Sequence, residues 1–413
     1  MDKQNLNSIP KYSNAANWLF VVISALLCLG ALMVFSAAAG LDQKIDIRQF
    51  WRYSTMRRVA FVPIVWVILT VVGHCNYRRW IVNEKRFWLS PIVFLMGISI
   101  LLLILVLMRN IGTEVHSSRR WLEFGPKEYG LRIQPSEFAK WITVIFLGAY
   151  AAWRGEKIRS FTGGFLPGCA ILVLVAGLIG KEDFGTAVLV GAMGIVVLLI
   201  GGVRLWHMLI LLPLAVLAFY LLVYCEPYRW ERVVAYFQDA PNGQFSDTAY
   251  QARQSIMAIG AGGIWGCGLG KGTIKCGYLP EDTTDFIFAV IGEELGLAGC
   301  IIVIFLFAFL LLCSLAILKR CPDRMGQLLV IAISGTICAQ ALMNLLVVTG
   351  MAPTKGIALP FVSAGGSGLV ITAMAAGVLM NIARQTPIVQ SSIGQKKTED
   401  KFHGQVDTCQ GPM

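Results

Sequence analysis

Charge is scarce in this chain. Only 14% of its 413 residues are Asp, Glu, Lys or Arg, against 56% hydrophobic, and the mean hydropathy is +0.67. That composition excludes a soluble or disordered protein and points to one bundle in lipid, not the two or three globular units that length alone would allow. Histidine is rarer still, at four residues, and the 11 cysteines show neither a CxxC pair nor a Cys/His spacing that would build a zinc site. Most of them, Cys28, Cys169 and Cys313 included, sit in apolar runs as small hydrophobes. Cys267 and Cys276 share a long polar loop and would be bonded only if that loop faces an oxidising compartment. A Walker loop is also missing. In the glycine-rich stretch from Ala258 to Gly272, Trp265 stands where that motif needs its first glycine and Gly272 where it needs Ser or Thr. What remains is a close-packed loop whose glycines supply positive φ and close backbone approach. The net charge of +11 is read not as a nucleic-acid footprint but as cytoplasmic loops facing anionic headgroups.

What the sequence does have is apolar runs. Crossing about 30 Å of hydrocarbon takes about 20 helical residues, and roughly ten such runs recur along the chain. They are Trp18 to Gly40, Val59 to His74, Trp88 to Met108, Glu137 to Trp153, Phe161 to Gly180, Gly185 to Gly202, Leu205 to Tyr224, Leu295 to Leu318, Gln327 to Gly350 and Leu359 to Ile382. The expected fold is therefore an all-α integral membrane bundle of about ten transmembrane helices. It spans residues 18–383, between a polar tail (1–17) and a disordered one (384–413). An even count puts both termini on one side. Arg78, Arg79, Lys85 and Arg86, then Arg154, Lys157 and Arg159, then Lys319, Arg320 and Arg324 fall in alternate short loops, which makes that side cytoplasmic. Arg48, Arg52, Arg57, Arg58, Arg119 and Arg120 run against the rule in loops on the other side. Two long polar loops, Arg109 to Ser136 and Cys225 to Glu294, should cover a polar cavity at the outer face, because irregular backbone is not tolerated against lipid.

Four constellations in and near these loops carry candidate chemistry. Ser117-Ser118-Arg119-Arg120-Trp121 is followed by Gln134-Pro135-Ser136-Glu137-Phe138-Ala139-Lys140, which opens a span. Pro135 and Ser136 suit a helix start and Glu137 its positive end, so capping and interfacial anchoring account for part of the pattern. Lys140, one turn inside, must snorkel or face a polar cavity, and with Arg120 it would make a site for a phosphorylated headgroup. The glycine-rich stretch is the second constellation. The third, Leu279-Pro280-Glu281-Asp282-Thr283-Thr284-Asp285-Phe286-Ile287-Phe288, continues to Gly292-Glu293-Glu294-Leu295-Gly296. Thr284 or Asp285 is expected as a helix N-cap, with Glu281 and Asp282 as solvated charges. Asp285, followed at once by Phe286-Ile287-Phe288, is the candidate proton acceptor, about 15 Å above the crossing at 1.5 Å per residue. Gln340 and Asn344 are expected to glue helices together. Lys355, in Pro353-Thr354-Lys355-Gly356, adds an outer cation, and Ser363 lies in the Ser363-Ala364-Gly365-Gly366 stretch that follows.

Taken in order, Arg119-Arg120-Trp121, Gln134-Pro135-Ser136-Glu137, Asp183-Phe184-Gly185-Thr186-Ala187, Tyr250-Gln251 with Gln254-Ser255, Ala258-Ile259-Gly260, and Leu279-Pro280-Glu281 with Thr284-Asp285-Phe286-Ile287-Phe288 resemble the SEDS family (shape, elongation, division, sporulation). The match runs from about Trp18 to Ile382. Pro353-Thr354-Lys355-Gly356 and Ile291-Gly292-Glu293-Glu294-Leu295-Gly296 look more like its division branch (FtsW) than its rod-elongation branch (RodA). The resemblance implies a peptidoglycan glycosyltransferase of the bacterial cytoplasmic (inner) membrane that polymerises lipid II at the outer face. It also implies a class B penicillin-binding protein as partner, alongside other divisome or elongasome membrane proteins, and Asp285 as the catalytic residue. Gln134, Glu137, Arg120, Lys140, Glu281, Lys355 and Ser363 are the candidate substrate contacts. No cofactor is required by the pattern; Glu281 could hold a divalent cation (Mg or Mn) through its oxygens, though no spacing fixes one. Two rivals share the architecture: a lipid II flippase or transporter, and a non-catalytic scaffold for a penicillin-binding protein.

Overall fold

The computed structural model describes residues 14–39, 54–78, 87–108, 113–115, 118–124, 131–237, 247–272, 284–353, 356–363 and 365–386. Glu281, Lys355, Cys276 and residues 387–413 of the expected disordered tail lie outside the described residues, while Arg384 and Gln385, placed in that tail, close the last helix.

Ten helices occupy the ten apolar runs: α1 (Ala15–Ala39), α2 (Ser54–His74), α3 (Pro91–Leu107), α4 (Pro135–Arg154), α5 (Leu166–Glu182), α6 (Phe184–Ile200), α7 (Leu205–Tyr224, closing in a π-turn), and, after two further helices, α10 (Ile287–Arg320), α11 (Arg324–Val348) and α12 (Gly366–Gln385). Helix ends follow local chemistry. Pro135 and Pro91 open α4 and α3, where a missing N–H costs nothing. Asp183 caps α6 by accepting from Thr186 N at 3.1 Å, and Asp323 caps α11 by accepting from Gly326 N at 3.1 Å.

The least lipid-like span is the central one. α4 falls outside the six helices long and apolar enough to cross by composition, yet every residue from Ala139 to Ala151 is buried. Its neighbours are α3, α5, α6, α11 and α12, so protein, not lipid, surrounds its polar residues. Elsewhere small residues let helices close in: a Cβ on Gly377 of α12 would lie 2.8 Å from Val72 Cβ of α2.

The bundle has two chemically distinct ends. At one, Asp323 Oδ2 accepts from Tyr77 Oη at 2.9 Å and pairs with Arg78 at 3.3 Å, while Asn381 joins Tyr77 N to Gly73 O, and Arg324 donates to Gly201 O at 2.8 Å. This end carries Arg78, Arg154, Lys157, Arg159, Lys319, Arg320 and Arg324 of the alternate basic loops. The other end carries a small antiparallel sheet, β1 (Thr113–Val115), β2 (Ser118–Phe124) and β3 (Leu131–Ile133), which delivers the chain into α4.

The stretch from Cys225 to Glu294 is not a single polar loop. It contains α8 (Pro227–Phe237) and α9 (Asp247–Gly262), and its last residues, Ile287 to Glu294, form a buried half-helix at the start of α10. Hydropathy hid that half-helix because Glu293 and Glu294 look like interfacial charges, whereas both are buried, and Ser36 of α1 donates to Glu294 Oε2 at 2.5 Å. α10 is broken at Gly296, whose φ of 69° no ordinary helix permits. The glycine-rich stretch fills the break. In an unbroken helix Leu297 and Ala298 N would donate to the carbonyls of Glu293 and Glu294. Here those two N–H groups donate to Gly263 O (2.9 Å) and Ile264 O (3.2 Å), and the two carbonyls accept from Cys267 N (2.9 Å) and Gly268 N (3.1 Å). The close packing expected of these glycines is therefore real: a Cβ on Gly266 would stand 2.2 Å from Glu294 O.

Candidate functional site

Asp285 sits at the sheet end, two residues before the half-helix. The N-cap of α10 is Phe286, not Thr284 or Asp285, and it makes no side-chain cap bond. The backbone around it is clamped from two sides. Ser363 Oγ donates to Thr284 O at 2.5 Å while accepting from Leu359 N at 2.7 Å. Asn344 Nδ2 donates to Asp285 O and to Ile357 O, both at 2.7 Å. Ser363 therefore holds backbone in place, and its neighbour Phe361 is the one described non-glycine residue with positive φ, 64°.

The Asp285 carboxylate and the Arg120 guanidinium meet over one glycine. A Cβ on Gly356 would lie 2.8 Å from Asp285 Oδ2 and 3.8 Å from Arg120 Nη1, so the missing side chain is what lets both charged groups face the same space. Arg120, carried by β2, is oriented by donating through Nε to Glu182 O at 2.9 Å, the last residue of α5. Arg229 of α8 stands beside it, donating to Gly180 O and Leu222 O, so two guanidiniums cap the α5 C-terminus. Burial pushes the Arg229 pKa down, Glu226 pulls it back, and the neighbouring Arg120 charge lowers it again. A narrow cleft lies between α1, α2 and residues Phe361 to Gly366, and a second is lined by Arg120, Ser136, Glu182 and Asp183 on its polar side and by Leu103, Val106, Leu178 and Ile179 on its apolar side.

Below this mouth lies a buried polar chain. Lys140 is fully buried, and its Nζ pairs with Glu137 Oε2 at 2.6 Å and donates to Gln340 Oε1 at 2.7 Å. Gln340 in turn donates to Ala358 O at 2.8 Å, so α4 and α11 are tied to the segment that carries Gly356. Gln340 and Asn344 do act as glue, though what they hold is loop backbone as much as helices. Gln134 Nε2 donates to Ser136 Oγ (3.1 Å) and Asp183 Oδ2 (3.3 Å), and Asp183 also accepts from Thr186 Oγ1 at 2.8 Å. Of the residues singled out in the sequence, the structure brings Asp285, Arg120 and Ser363 to the mouth, with Glu137, Lys140 and Gln134 in the polar layers behind. Gly356 was named only as the end of the Pro353 to Gly356 motif and given no role of its own, and Arg229 was missed because it reads as an ordinary interfacial charge.

A family model described as cell cycle protein, covering FtsW, RodA and SpoVE, matches residues 17–388. The chain belongs to this family. Among curated relatives of the FtsW/RodA/SpoVE type, the probable peptidoglycan glycosyltransferase FtsW of Geobacter metallireducens is 35% identical over 382 residues, covering 92% of this chain and 97% of the relative. Stage V sporulation protein E of Bacillus subtilis is 35% identical over 370 residues, covering 89% and 96%. A solved chain from a peptidoglycan synthase complex, described for its coordination of polymerization and crosslinking, superposes with a TM-score of 0.69 at 26% identity, covering 90% of this chain and 98% of that one. The matches cover nearly the whole of this chain and nearly the whole of these relatives, so the fold is that of the family throughout. The chain is accordingly a multi-pass membrane protein.

Proposed function

We propose that this chain is a peptidoglycan glycosyltransferase that joins lipid II units into glycan strands, with Asp285 as the general base. The observation that carries the reading is the Gly356 cradle, where a carboxylate and a guanidinium converge beside one glycine. There the acceptor hydroxyl would lose its proton to Asp285 as its oxygen bonds to the donor sugar carbon, while the bond to the lipid diphosphate breaks. The diphosphate leaves as a stable anion and needs no acid, unlike the leaving group of a hydrolase pair. Arg120 stabilises the charge that develops on it. Lys140, already paired with Glu137 and Gln340, supports the cradle from behind by fixing Ala358 through Gln340. The basic loops lie at the opposite end, which supports a cytoplasmic-membrane orientation with both termini cytoplasmic and the cradle outside. The synthase complex with the same fold supports a crosslinking partner of the class B penicillin-binding type.

One observation weighs against a flippase. The broken helix that a transporter would use to hold its ligand is here closed by the glycine loop, with the four freed backbone groups paired. Glycan formation from labelled lipid II, with a transpeptidase-blocked partner, tests the reading. Asp285→Asn keeps the volume but loses the base, and polymer should fall by about 10²–10⁴-fold at equal folded protein. Equal polymer from both proteins removes Asp285 as the base, and no polymer from wild type moves the function to lipid transport.

A further inference from the structure

We propose that Asn344 is the positioning residue that sets the geometry of the cradle. The inference rests on the reading of Asp285 as the base. Asn344 lies on α11, is 1% exposed, and spends both protons of its amide on two backbone carbonyls, those of Asp285 and Ile357, at 2.7 Å each. These carbonyls belong to the two segments that meet in the cradle: one carries the Asp285 carboxylate, the other adjoins Gly356. One planar NH₂ group therefore fixes the separation of the two walls. The amide orientation is settled by its surroundings, because the flipped form would point an oxygen at two carbonyl oxygens.

A second observation separates this role from ordinary helix glue. The Asn344 Oδ1 atom is buried and has no hydrogen-bond partner among the described residues. A buried acceptor left unmatched works against folding. Gln340, one turn earlier on the same helix, has both ends of its amide engaged. Asn344 gives up one partner in order to place two donors, which marks the site as built for geometry. Asn381 provides the matched comparison: it is also a buried amide on a membrane helix that holds backbone, donating to Gly73 O at 3.2 Å and accepting from Tyr77 N at 3.1 Å, but at the far end of the bundle.

The test uses full-length protein with its partner synthase, comparing Asn344→Leu, Asn344→Asp, Asn381→Leu and Asp285→Asn for kcat, KM, the pH profile of kcat and thermal unfolding. Asn344→Leu should lower kcat about tenfold or more with KM within about twofold, as expected when a reacting group is misplaced by a fraction of an ångström. Asn344→Asp sets a second carboxyl against Asp285, with Arg120 common to all variants. The acidic limb of its pH profile should move up by about one unit or more. Asn381→Leu should keep both the wild-type kcat and profile. Turnover by Asn344→Leu equal to that of Asn381→Leu per folded protein, or an Asn344→Asp profile superimposable on wild type, overturns the inference. If Asn344→Leu does not fold, the isosteric Asn344→Asp carries the test alone. Wild-type turnover by Asp285→Asn would instead overturn the base on which the inference stands.

Discussion

Replacing Gly356 by Ala adds a single methyl group at the point where the Asp285 carboxylate and the Arg120 guanidinium converge. Gly356 does not have positive φ, so alanine fits the backbone, and losing a glycine should if anything stabilise the fold by about 0.4–1 kcal/mol. The methyl carbon would stand 2.8 Å from Asp285 Oδ2, whereas ordinary contact begins near 3.4 Å. The carboxylate must therefore retreat by about 0.6 Å or leave its rotamer at a cost of about 0.5–1.5 kcal/mol. A misplacement of about 1 Å can cost 10²-fold in rate, so polymerisation should fall roughly 10- to 30-fold. Arg120 Nη1, at 3.8 Å, is touched without being displaced. The assay is glycan formation from labelled lipid II, run beside thermal unfolding in detergent. Gly365→Ala is the local control, since a Cβ there meets nothing within 4 Å. A Gly356→Ala protein that is folded and polymerises at the wild-type rate would refute the claim that the cradle holds the reacting groups.

Arg120→Ala should slow polymerisation about tenfold to a hundredfold, the worth of one charged contact of about 1.5–3 kcal/mol acting on the transition state, and Arg120→Lys should recover only part of it. Steady-state rates at equal folded protein check this, and an unchanged Arg120→Ala rate removes Arg120 from diphosphate stabilisation. Lys140→Met should destabilise the protein by about 3–5 kcal/mol because it strands Glu137 in the interior, and adding Glu137→Gln should restore much of that loss. Denaturation midpoints of the two variants and the double variant measure the coupling, and simple additivity would contradict a shared buried pair. Gly296→Ala should abolish folded yield, since its Cβ would fall 2.3 Å from Gly266 N at a φ of 69°, and a normal size-exclusion profile would show that the loop does not enter the break.

Hydropathy marked the apolar runs that fold as α1 to α7 and α10 to α12 among the described residues, because an apolar run of that length is a one-dimensional signal. Local chemistry revealed helix starts such as Pro135 and the close packing of the glycine stretch. What could not be read was pairing across distance. Lys140 looked like a cation awaiting a ligand although Glu137, three residues earlier, is its ion-pair partner; the second partner, Gln340, lies 200 residues away in sequence. The burial of Glu293 and Glu294 was not legible because nothing in their neighbourhood announces that Ser36 and the glycine loop cover them. The glycine stretch announced close approach but not its target, which is the break at Gly296. Asp285 was singled out by its motif and apolar followers, whereas Gly356, named only within the Pro353 to Gly356 motif, was given no role because its contribution is the atom it lacks.

The exchange of backbone partners at Gly296 makes residues 263–268 a spliced-in piece of α10. The splice matches donors to acceptors one for one, so its register tolerates no slippage. A residue inserted between Gly263 and Gly268 would shift one set of N–H groups away from the carbonyls of Glu293 and Glu294, leaving charge-separated dipoles stranded inside the protein. Length variation should therefore be excluded between Gly263 and Gly268, and the half-helix should travel with the glycine loop as one rigid part whenever the sheet end of the bundle rearranges.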